Sequence, residues 1–312
     1  MSSYYFEHVD RLNTKDLREL FVNAYERDFD KSYIDKKLDT SAFGLSYIGY
    51  IIYTEEKQAV GFYAVYPCEL MFNGVKYLVA QQGDLMIHKD HRGKGLYTQV
   101  AIKLHDYCRE LGMNLIFGFP NQNSFPGFVR NHKWDHYDDM QIYLIRVKTI
   151  PWIRLKKIFH LPSALHKWWA GVIMNFVPKG EYFQNSVIEE NIGGVDHSAD
   201  FFRYKQYEKS YIVRVAGKNV WFKVDDDFLV IGDMERCTAQ DFLAVISALK
   251  KIAFFLGVHH LRYQCGRGAF HEEHFSRHGV KMDKTYPIGG VNFTNIVPFR
   301  QIKFSMGDND GY

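Results

Sequence analysis

The sequence predicts an α/β (α+β) protein of two domains, each a central mixed, mostly antiparallel sheet flanked by helices. Three observations carry this. A strand-like run ending in Asp84-Leu85-Met86-Ile87 enters a short charged loop, His88-Lys89-Asp90-His91-Arg92-Gly93-Lys94-Gly95, and an amphipathic segment follows at once (Val100, Ala101, Leu104, Tyr107, Cys108, Leu111). Strand-like runs crowd the region before that loop, and Asn73-Gly74 between two of them is a strong hairpin signal. The same order of elements then returns in the second half, which argues for an internal duplication.

Taken in order, Thr14 is placed to cap a helix through Leu17, Leu20, Phe21, Ala24 and Tyr25, and a second helix covers about Ser32 to Leu38. Strands follow at Leu45–Tyr53, Ala59–Phe72 and Val75–His88. Gly112 stops the amphipathic helix. Met113–Phe119 reads as a short buried strand, Pro120-Asn121-Gln122-Asn123-Ser124 as a loop with a cap, and a short helix reaches about Arg130. Met140–Val147 is the last strand of the first half.

In the second half, Ala199–Gln206 is helical and strand-like runs lie at Tyr211–Val215, Val220–Val224 and Phe228–Ile231. A helix from about Gln240 to Leu256 stops at Gly257, Val258–Gln264 is a strand, and Gly268–His278 a short helix. The spacing from Ile87 through a helix to Gly112 nearly equals that from Ile231 to Gly257.

The His88–Gly95 loop has the chemistry of an anion site. Its glycines let backbone N–H groups turn inward, the helix start adds partial positive charge, and Arg92 and Lys94 add full charge. A pyrophosphate suits such a cradle. The loop is neither G-x-G-x-x-G nor a P-loop. The matching turn in the second half, Gly232-Asp233-Met234-Glu235-Arg236-Cys237-Thr238, has no glycine pair, and its two acids would repel a pyrophosphate.

Over about residues 4–148 the chain resembles the GNAT superfamily of acyl-coenzyme A-dependent N-acyltransferases. The resemblance rests on Arg92-Gly93-Lys94-Gly95, similar to the family's Q/R-x-x-G-x-G/A loop, and on Phe119-Pro120-Asn121…Ser124…Phe128…Trp134, similar to its second cofactor-side segment. It implies a sheet splayed open at the strand before the loop. It also implies acetyl-CoA or another acyl-CoA as co-substrate, without a metal, held by Met86, Ile87, His88, Arg92, Gly93, Lys94, Gly95, Leu96 and Tyr97, with Asn121 and Ser124. Three positions depart from the pattern. Tyr97 stands where the family has Gly or Ala, Phe128 where many members carry an acidic Tyr, and Gln81 where many carry a Glu base. The implied organisation is a GNAT-like acyl-CoA-binding catalytic domain (1–148), a helical aromatic and basic connector (149–194) and a degenerate GNAT-like copy (195–312) forming part of the acceptor cleft.

The chemistry sets its own requirements. An amine attacks a thioester only when neutral, so a group must take its proton. The developing oxyanion needs a fixed donor, and a splayed strand offers backbone N–H groups. Asp84 is the first candidate base, Glu69 the second and His88 the third; a structural carboxylate bonded to backbone amides is the alternative for Asp84.

Composition bounds the partners. With 312 residues the chain can bury a sizeable core, and a net charge of +3 is too small to suggest nucleic acid. Cys68, Cys108, Cys237 and Cys265 lack metal-ligand spacing and read as reduced thiols, which points to a cytoplasmic protein. No signal peptide and no apolar run of about 20 residues are recognisable. In the connector, Trp152, Trp168 and Trp169 with Arg154, Lys156, Lys157 and Lys167 fit either an inter-domain packing segment, the favoured reading, or a basic membrane-surface segment. His271-Glu272-Glu273-His274 reads as a solvated helix face rather than a metal site. The expected acceptor is a small amine, an amino sugar or nucleotide-linked amino sugar of surface polysaccharide being the class the resemblance suggests. A peptidoglycan-type aminoacyl transferase, a non-catalytic acyl-CoA sensor and a protein or peptide acetyltransferase are the alternatives.

Overall fold

A computed structural model describes residues 3–26, 28–149, 163–225 and 227–312. The strands are β1 (Tyr4–His8), β2 (Gly49–Thr54), β3 (Ala59–Phe72), β4 (Val75–Ile87), β5 (Leu115–Gly118), β6 (Asp135–Arg146), β7 (Gly194–Val195), β8 (Tyr211–Val215), β9 (Lys218–Asp225), β10 (Phe228–Met234), β11 (His260–Cys265), β12 (Val280–Lys281) and β13 (Tyr286–Asn292). The described helices are α1 (Leu17–Tyr25), α2 (Lys31–Leu38), α3 (Leu96–Glu110), α4 (Phe125–His132), α5 (Ser163–Asn175), α6 (Ala199–Tyr204), α7 (Ala239–Leu256) and α8 (Glu272–His278). They form two compact units, both discontinuous in sequence: Met1–Asp138 with Ala199–Tyr207 and Tyr286–Ile302, and Asp139–Ser198 with Glu208–Thr285 and Lys303–Tyr312. The sequence reading has three consecutive segments instead.

The first unit is built on one mixed sheet in the order β1-β2-β3-β4-β5-β13. The β3–β4 hairpin turns at Asn73 and Gly74, whose φ values of 49° and 77° are the pair a type I′ turn needs. Strand β3 is apolar nearly throughout because helices cover both its faces. On one face α3 lays a stripe of Leu96, Val100, Ala101, Leu104 and Cys108 against Ile52, Val60, Tyr63, Val65, Ala80 and Ile116. On the other face, Leu17, Leu20 and Phe21 of α1 and Ile34 and Leu38 of α2 bury against Ile51, Phe62, Ala64, Tyr66 and Met86. Thr14 does not cap α1; it opens a short 3-10 turn, and its buried hydroxyl donates to Asp35 Oδ1 at 2.6 Å. Strand β2 begins at Gly49, not Leu45.

Two features of β4 matter for the site. Its parallel pairing with β5 is limited to Ala80↔Ile116 and Gln81↔Phe117, while β4 itself runs on to Ile87, so the sheet opens between the strands beyond Gln81. Against β3, the register passes from Val65↔Gln82 to Tyr63↔Leu85, so Gly83 and Asp84 together face Ala64 in a β-bulge.

The second unit has its own mixed sheet, β8-β9-β10-β11-β6, with β12 also on β6. Strands β10 and β11 are parallel and joined by α7. Thr238 and Asp241 form a reciprocal cap at the start of α7, and Gly257 ends it at φ 72°. Phe242, Val245, Ile246, Leu249, Ala253 and Leu256 bury the helix on Phe222, Leu229, Ile231 and Leu261. The last short helix begins at Glu272 rather than Gly268. Of the connector, residues 150–162 and the side chains of 163–167, including Trp152, Arg154, Lys156, Lys157 and Lys167, lie outside the described residues. Trp168 is exposed, and Trp169 Nε1 donates to Phe255 O at 2.8 Å.

Candidate active site

The loop after β4 starts with a 3-10 turn at Lys89–His91 and ends with Gly93 and Gly95 at φ 75° and 77°, Gly95 being the N-cap of α3. Left-handed backbone at both positions selects glycine. Among the described residues nothing accepts a hydrogen bond from the N–H groups of 93–97, as expected where a helix begins. A Cβ built on Gly93 would meet no protein atom within 4 Å. The loop is braced from behind: Arg92 Nε donates to Ile87 O at 3.1 Å, Lys94 Nζ donates to Tyr4 Oη at 2.8 Å, and Tyr4 Oη lies 2.9 Å from His91 Nδ1. Burial, then Lys94 and His88, press the His91 pKa below its ordinary value.

A groove of about 300 Å³ opens at this loop. It is lined by Ala24 from α1, by Leu85, Met86 and Ile87 from the splayed end of β4, by His91, Arg92, Gly93 and Gly95, and by Leu96 and Tyr97 from α3. Eight of the eleven residues expected at the cofactor, all but His88, Asn121 and Ser124 with Lys94 at the loop's rim, therefore fall on or beside one concave surface. His88 stands at the start of the loop, where its Nδ1 accepts from the Asp90 N–H at 3.3 Å. Asn121 and Ser124 are not among the residues lining this groove. Asn121 Oδ1 accepts from the N–H groups of Asn123 and Ser124, and Ser124 Oγ donates to Asn121 O, so the two build the turn before α4.

The three candidate bases separate. Asp84 is buried, and its Oδ2 accepts from Lys37 Nζ at 2.9 Å and from Tyr66 Oη at 2.7 Å. Lys37 is itself buried, on α2, and its ammonium also lies 5.1 Å from the Tyr66 ring centroid. Glu69 pairs with Lys76 at 2.7 Å near the hairpin end of β3, facing Leu78. That is about 26 Å of strand from the residues opposite Ile87, so the structure does not bring Glu69 to the loop.

Phe128 is buried against Trp134 with ring centroids 4.5 Å apart, and has no proton to give. Tyr97 fills the adjacent space. Its ring stacks on His132 at 4.3 Å, its hydroxyl lies 3.5 Å from the position a Cβ on Gly127 would take, and it has no hydrogen-bond partner among the described residues. Burial raises its pKa. His132 is buried, and burial with nearby His105 lowers its pKa to about 3; burial, with Arg109, lowers that of His105 to about 4. Both imidazoles are neutral at pH 7.

Lys37, Tyr66, Tyr4 and His91 were not legible as site residues. Only one local signal pointed to any of them: a glycine directly before a strand acid, Gly83-Asp84, which marks a place where another group closes on the backbone.

In the second unit, the turn after β10 differs from expectation. Asp233 does not face an open cradle. It is fully buried, and its carboxylate accepts from Ser186 Oγ at 2.5 Å and from the Ser186 N–H at 2.9 Å. Glu235 accepts from the Asn219 N–H at 2.6 Å. The two turns also differ in length: thirteen positions lead from Gly83 to Leu96 at the head of α3, seven from Gly232 to Ala239 at the head of α7. His271 Nε2 lies 3.0 Å from Met234 O and Glu272 accepts from Tyr143 Oη, so these residues of the His-Glu-Glu-His run are engaged within the fold.

A splayed sheet with a glycine-cornered loop at its mouth defines a class, and similarity to known proteins agrees with it. Residues 9–136 match the family described as the acetyltransferase (GNAT) domain. Residues 9–136 therefore carry an acetyltransferase domain of the GNAT type. No curated protein matches it in sequence. Among solved structures, a probable N-acyltransferase from Enterococcus faecalis V583 is similar over 96% of this chain and 74% of its own, at 15% identity and a TM-score of 0.62. A GCN5-related N-acetyltransferase from Kribbella flavida is similar over 94% and 72%, at 7% identity and 0.58. A putative acetyltransferase from Pyrococcus horikoshii is similar over 98% and 94%, at 12% identity and 0.55. At such identities the likeness is one of fold. Among the described residues no helix is long and apolar enough to cross a membrane.

Proposed function

We propose that the first unit transfers an acyl group, acetyl in the first instance, from acyl-coenzyme A to the nitrogen of a small amine. The observation that carries this is the row of unpartnered N–H groups at the head of α3, opening onto the groove beside the splayed end of β4. Amides there, aided by the helix dipole and by Arg92 and Lys94, suit the pyrophosphate. The acyl-bearing arm runs along Leu85–Ile87 into the splay, where the main chain of 82–87 has lost its β5 neighbour and can present N–H to the thioester oxygen. A neutral amine attacks the carbonyl carbon, the C–N bond forms and the C–S bond breaks. The electron pair leaves on sulfur, and the proton that the nitrogen loses balances the one the thiolate gains. Of the ionisable groups lining the groove, His91 is tied to Tyr4 and Arg92 holds Ile87 O. Tyr97 is the group with a proton to offer the thiolate.

The amino sugar, free or nucleotide-linked, is the acceptor class to test first. Titration calorimetry with acetyl-CoA, followed by mass spectrometry of reactions with a panel of amino sugars, simple amines and basic peptides, tests the reading. Binding with a mass gain of one acyl group on an amine supports it. No heat with any acyl-CoA overturns it; binding without transfer to any amine makes the protein a sensor.

A further inference from the structure

The Gly-Asp bulge of β4 has a counterpart in the second unit. Between β9 and β10 the register passes from Phe222↔Ile231 to Trp221↔Asp233, leaving Gly232 as the extra residue; between β3 and β4 it passes from Val65↔Gln82 across Gly83 and Asp84 to Tyr63↔Leu85. The strand order around each bulge is the same, and each bulged strand leads through a long helix to a parallel neighbour. In both, a tyrosine ring lies where the glycine's Cβ would be: Tyr66 Cζ at 2.6 Å over Gly83, Tyr312 Cζ at 2.5 Å over Gly232. In both, the following aspartate is buried against a basic side chain, Lys37 at 2.9 Å from Asp84 and His197 at 3.4 Å from Asp233. The ring and the base come from unrelated places in the chain: β3 and α2 in one unit, the C-terminal residue and the segment after β7 in the other. Tyr312 donates to Val230 O rather than to the aspartate, so the shared parts are the bulge, the ring on the glycine and the paired carboxylate.

We infer that Asp84, Lys37 and Tyr66 are positioning residues: they pin the β4 bulge, and so fix the splayed strand end along which the thioester lies, and Asp84 is not the group that deprotonates the amine. The second unit supports this because it keeps the device with Asp233 wholly buried, out of reach of any substrate, at a turn too short to cradle a pyrophosphate. A device found also where its aspartate is wholly buried and cannot reach a substrate serves the backbone rather than proton transfer. In the first unit its consequence for the reaction rests on the acyltransferase reading above.

Tyr66→Phe keeps the ring on Gly83 and removes only the hydroxyl that donates to Asp84; Gly83→Ala pushes the ring off while leaving Asp84 and Lys37 in place. Hydrogen exchange at 83–87 in the free protein, without cofactor or acceptor, should quicken at least tenfold in both and in Lys37→Met. With acetyl-CoA and a competent amine, these variants and Asp84→Asn should each lower kcat by a similar factor, about tenfold, with KM for the amine little changed and the pH–rate profile unchanged in shape. Lys37→Arg should restore most of the loss. Unchanged exchange in Tyr66→Phe and Gly83→Ala overturns the inference whether or not the protein proves to be an acyltransferase. So does an Asp84→Asn enzyme that alone loses 10²-fold or more and recovers as pH rises, which is the behaviour of a missing base. Quickened exchange in a protein that binds no acyl-CoA leaves the device standing and refutes the activity.

Discussion

On the proposed reading, cofactor binding turns on Gly93 and Gly95. A valine at either must adopt a left-handed backbone, costing about 1–2 kcal/mol per residue, and at Gly93 its side chain would project into the open space in front of the amides. The expected outcome for Gly93→Val with Gly95→Val is a folded protein, checked by circular dichroism, with no calorimetric binding of acetyl-CoA. Tyr97→Phe should leave that binding intact and lower turnover by about 10²-fold, the low end for loss of a proton donor; unchanged turnover would remove Tyr97 from the chemistry. These residues were legible because the loop is local, a few consecutive positions whose residue types state their backbone angles and charge. The Lys37–Asp84–Tyr66 cluster was not. It joins α2, β4 and β3, and no spacing along the chain announces that a lysine of an amphipathic helix turns inward to meet a strand carboxylate. Asp84 was legible as a carboxylate on the strand before the loop and was read there as the first candidate base, but its sequence position carried no information about the lysine 2.9 Å away.

At the scale of elements, the packing of α3 and α4 on the sheet buries two neutral imidazoles, His105 and His132. Their folded pKa values, about 4 and about 3, lie below the ordinary 6.5. The unfolded chain therefore binds more protons below about pH 6.5, and stability, unaffected by these groups above that pH, falls as pH drops from 6.5 toward 4. Melting temperature should decline over that interval, and His132→Phe, which keeps a ring against Tyr97 and Phe128, should flatten the decline; an identical slope would show that other groups carry it. Long strands and hairpins were readable from apolar runs and from Asn73-Gly74. Strand β13 was not, because Pro287, Gly289 and Gly290 are residue types that weaken a strand pattern. In the fold, these glycines instead let β13 approach its surroundings closely: a Cβ on Gly289 would come within 2.9 Å of Asp135 O, and Gly290 packs against the Ile116 carbonyl. Strand β1 is five residues with only partial burial and gave no alternation to detect.

At the scale of the whole molecule, the second unit is tied to its C-terminal segment by a buried charge. His197 Nε2 lies 2.8 Å from Asp308 and Nδ1 3.4 Å from Asp233. Burial opposes its charge, but hydrogen bonding to the two carboxylates outweighs that and raises its pKa to about 9. The stabilisation is fully present below pH 6.5 and is lost as pH rises through about 9. Melting temperature should fall by several degrees between pH 7 and 9.5, and His197→Gln should be less stable at pH 7 and lose that dependence. Because the turn from Gly232 to Ala239 lacks the length and the glycine pair of the first unit's loop, calorimetry should give one acyl-CoA per chain; a stoichiometry of two would refute the reading of the second turn.

The pairing of β13 with β5 also has a bearing on the order in which the protein can be made. Leu115 waits for Asn292 and Gly118 for Gly289, residues at least 171 positions further on. At about 5–20 residues per second, the ribosome needs roughly 10–30 s to supply them. Throughout that interval β5 presents an unpaired margin of backbone to solvent or to a chaperone, the kind of surface that recruits stray strands from other nascent chains. A gene fragment encoding only residues 9–136 would carry that open margin permanently, and its yield as soluble material would be expected to suffer for want of the strand at Tyr286–Asn292.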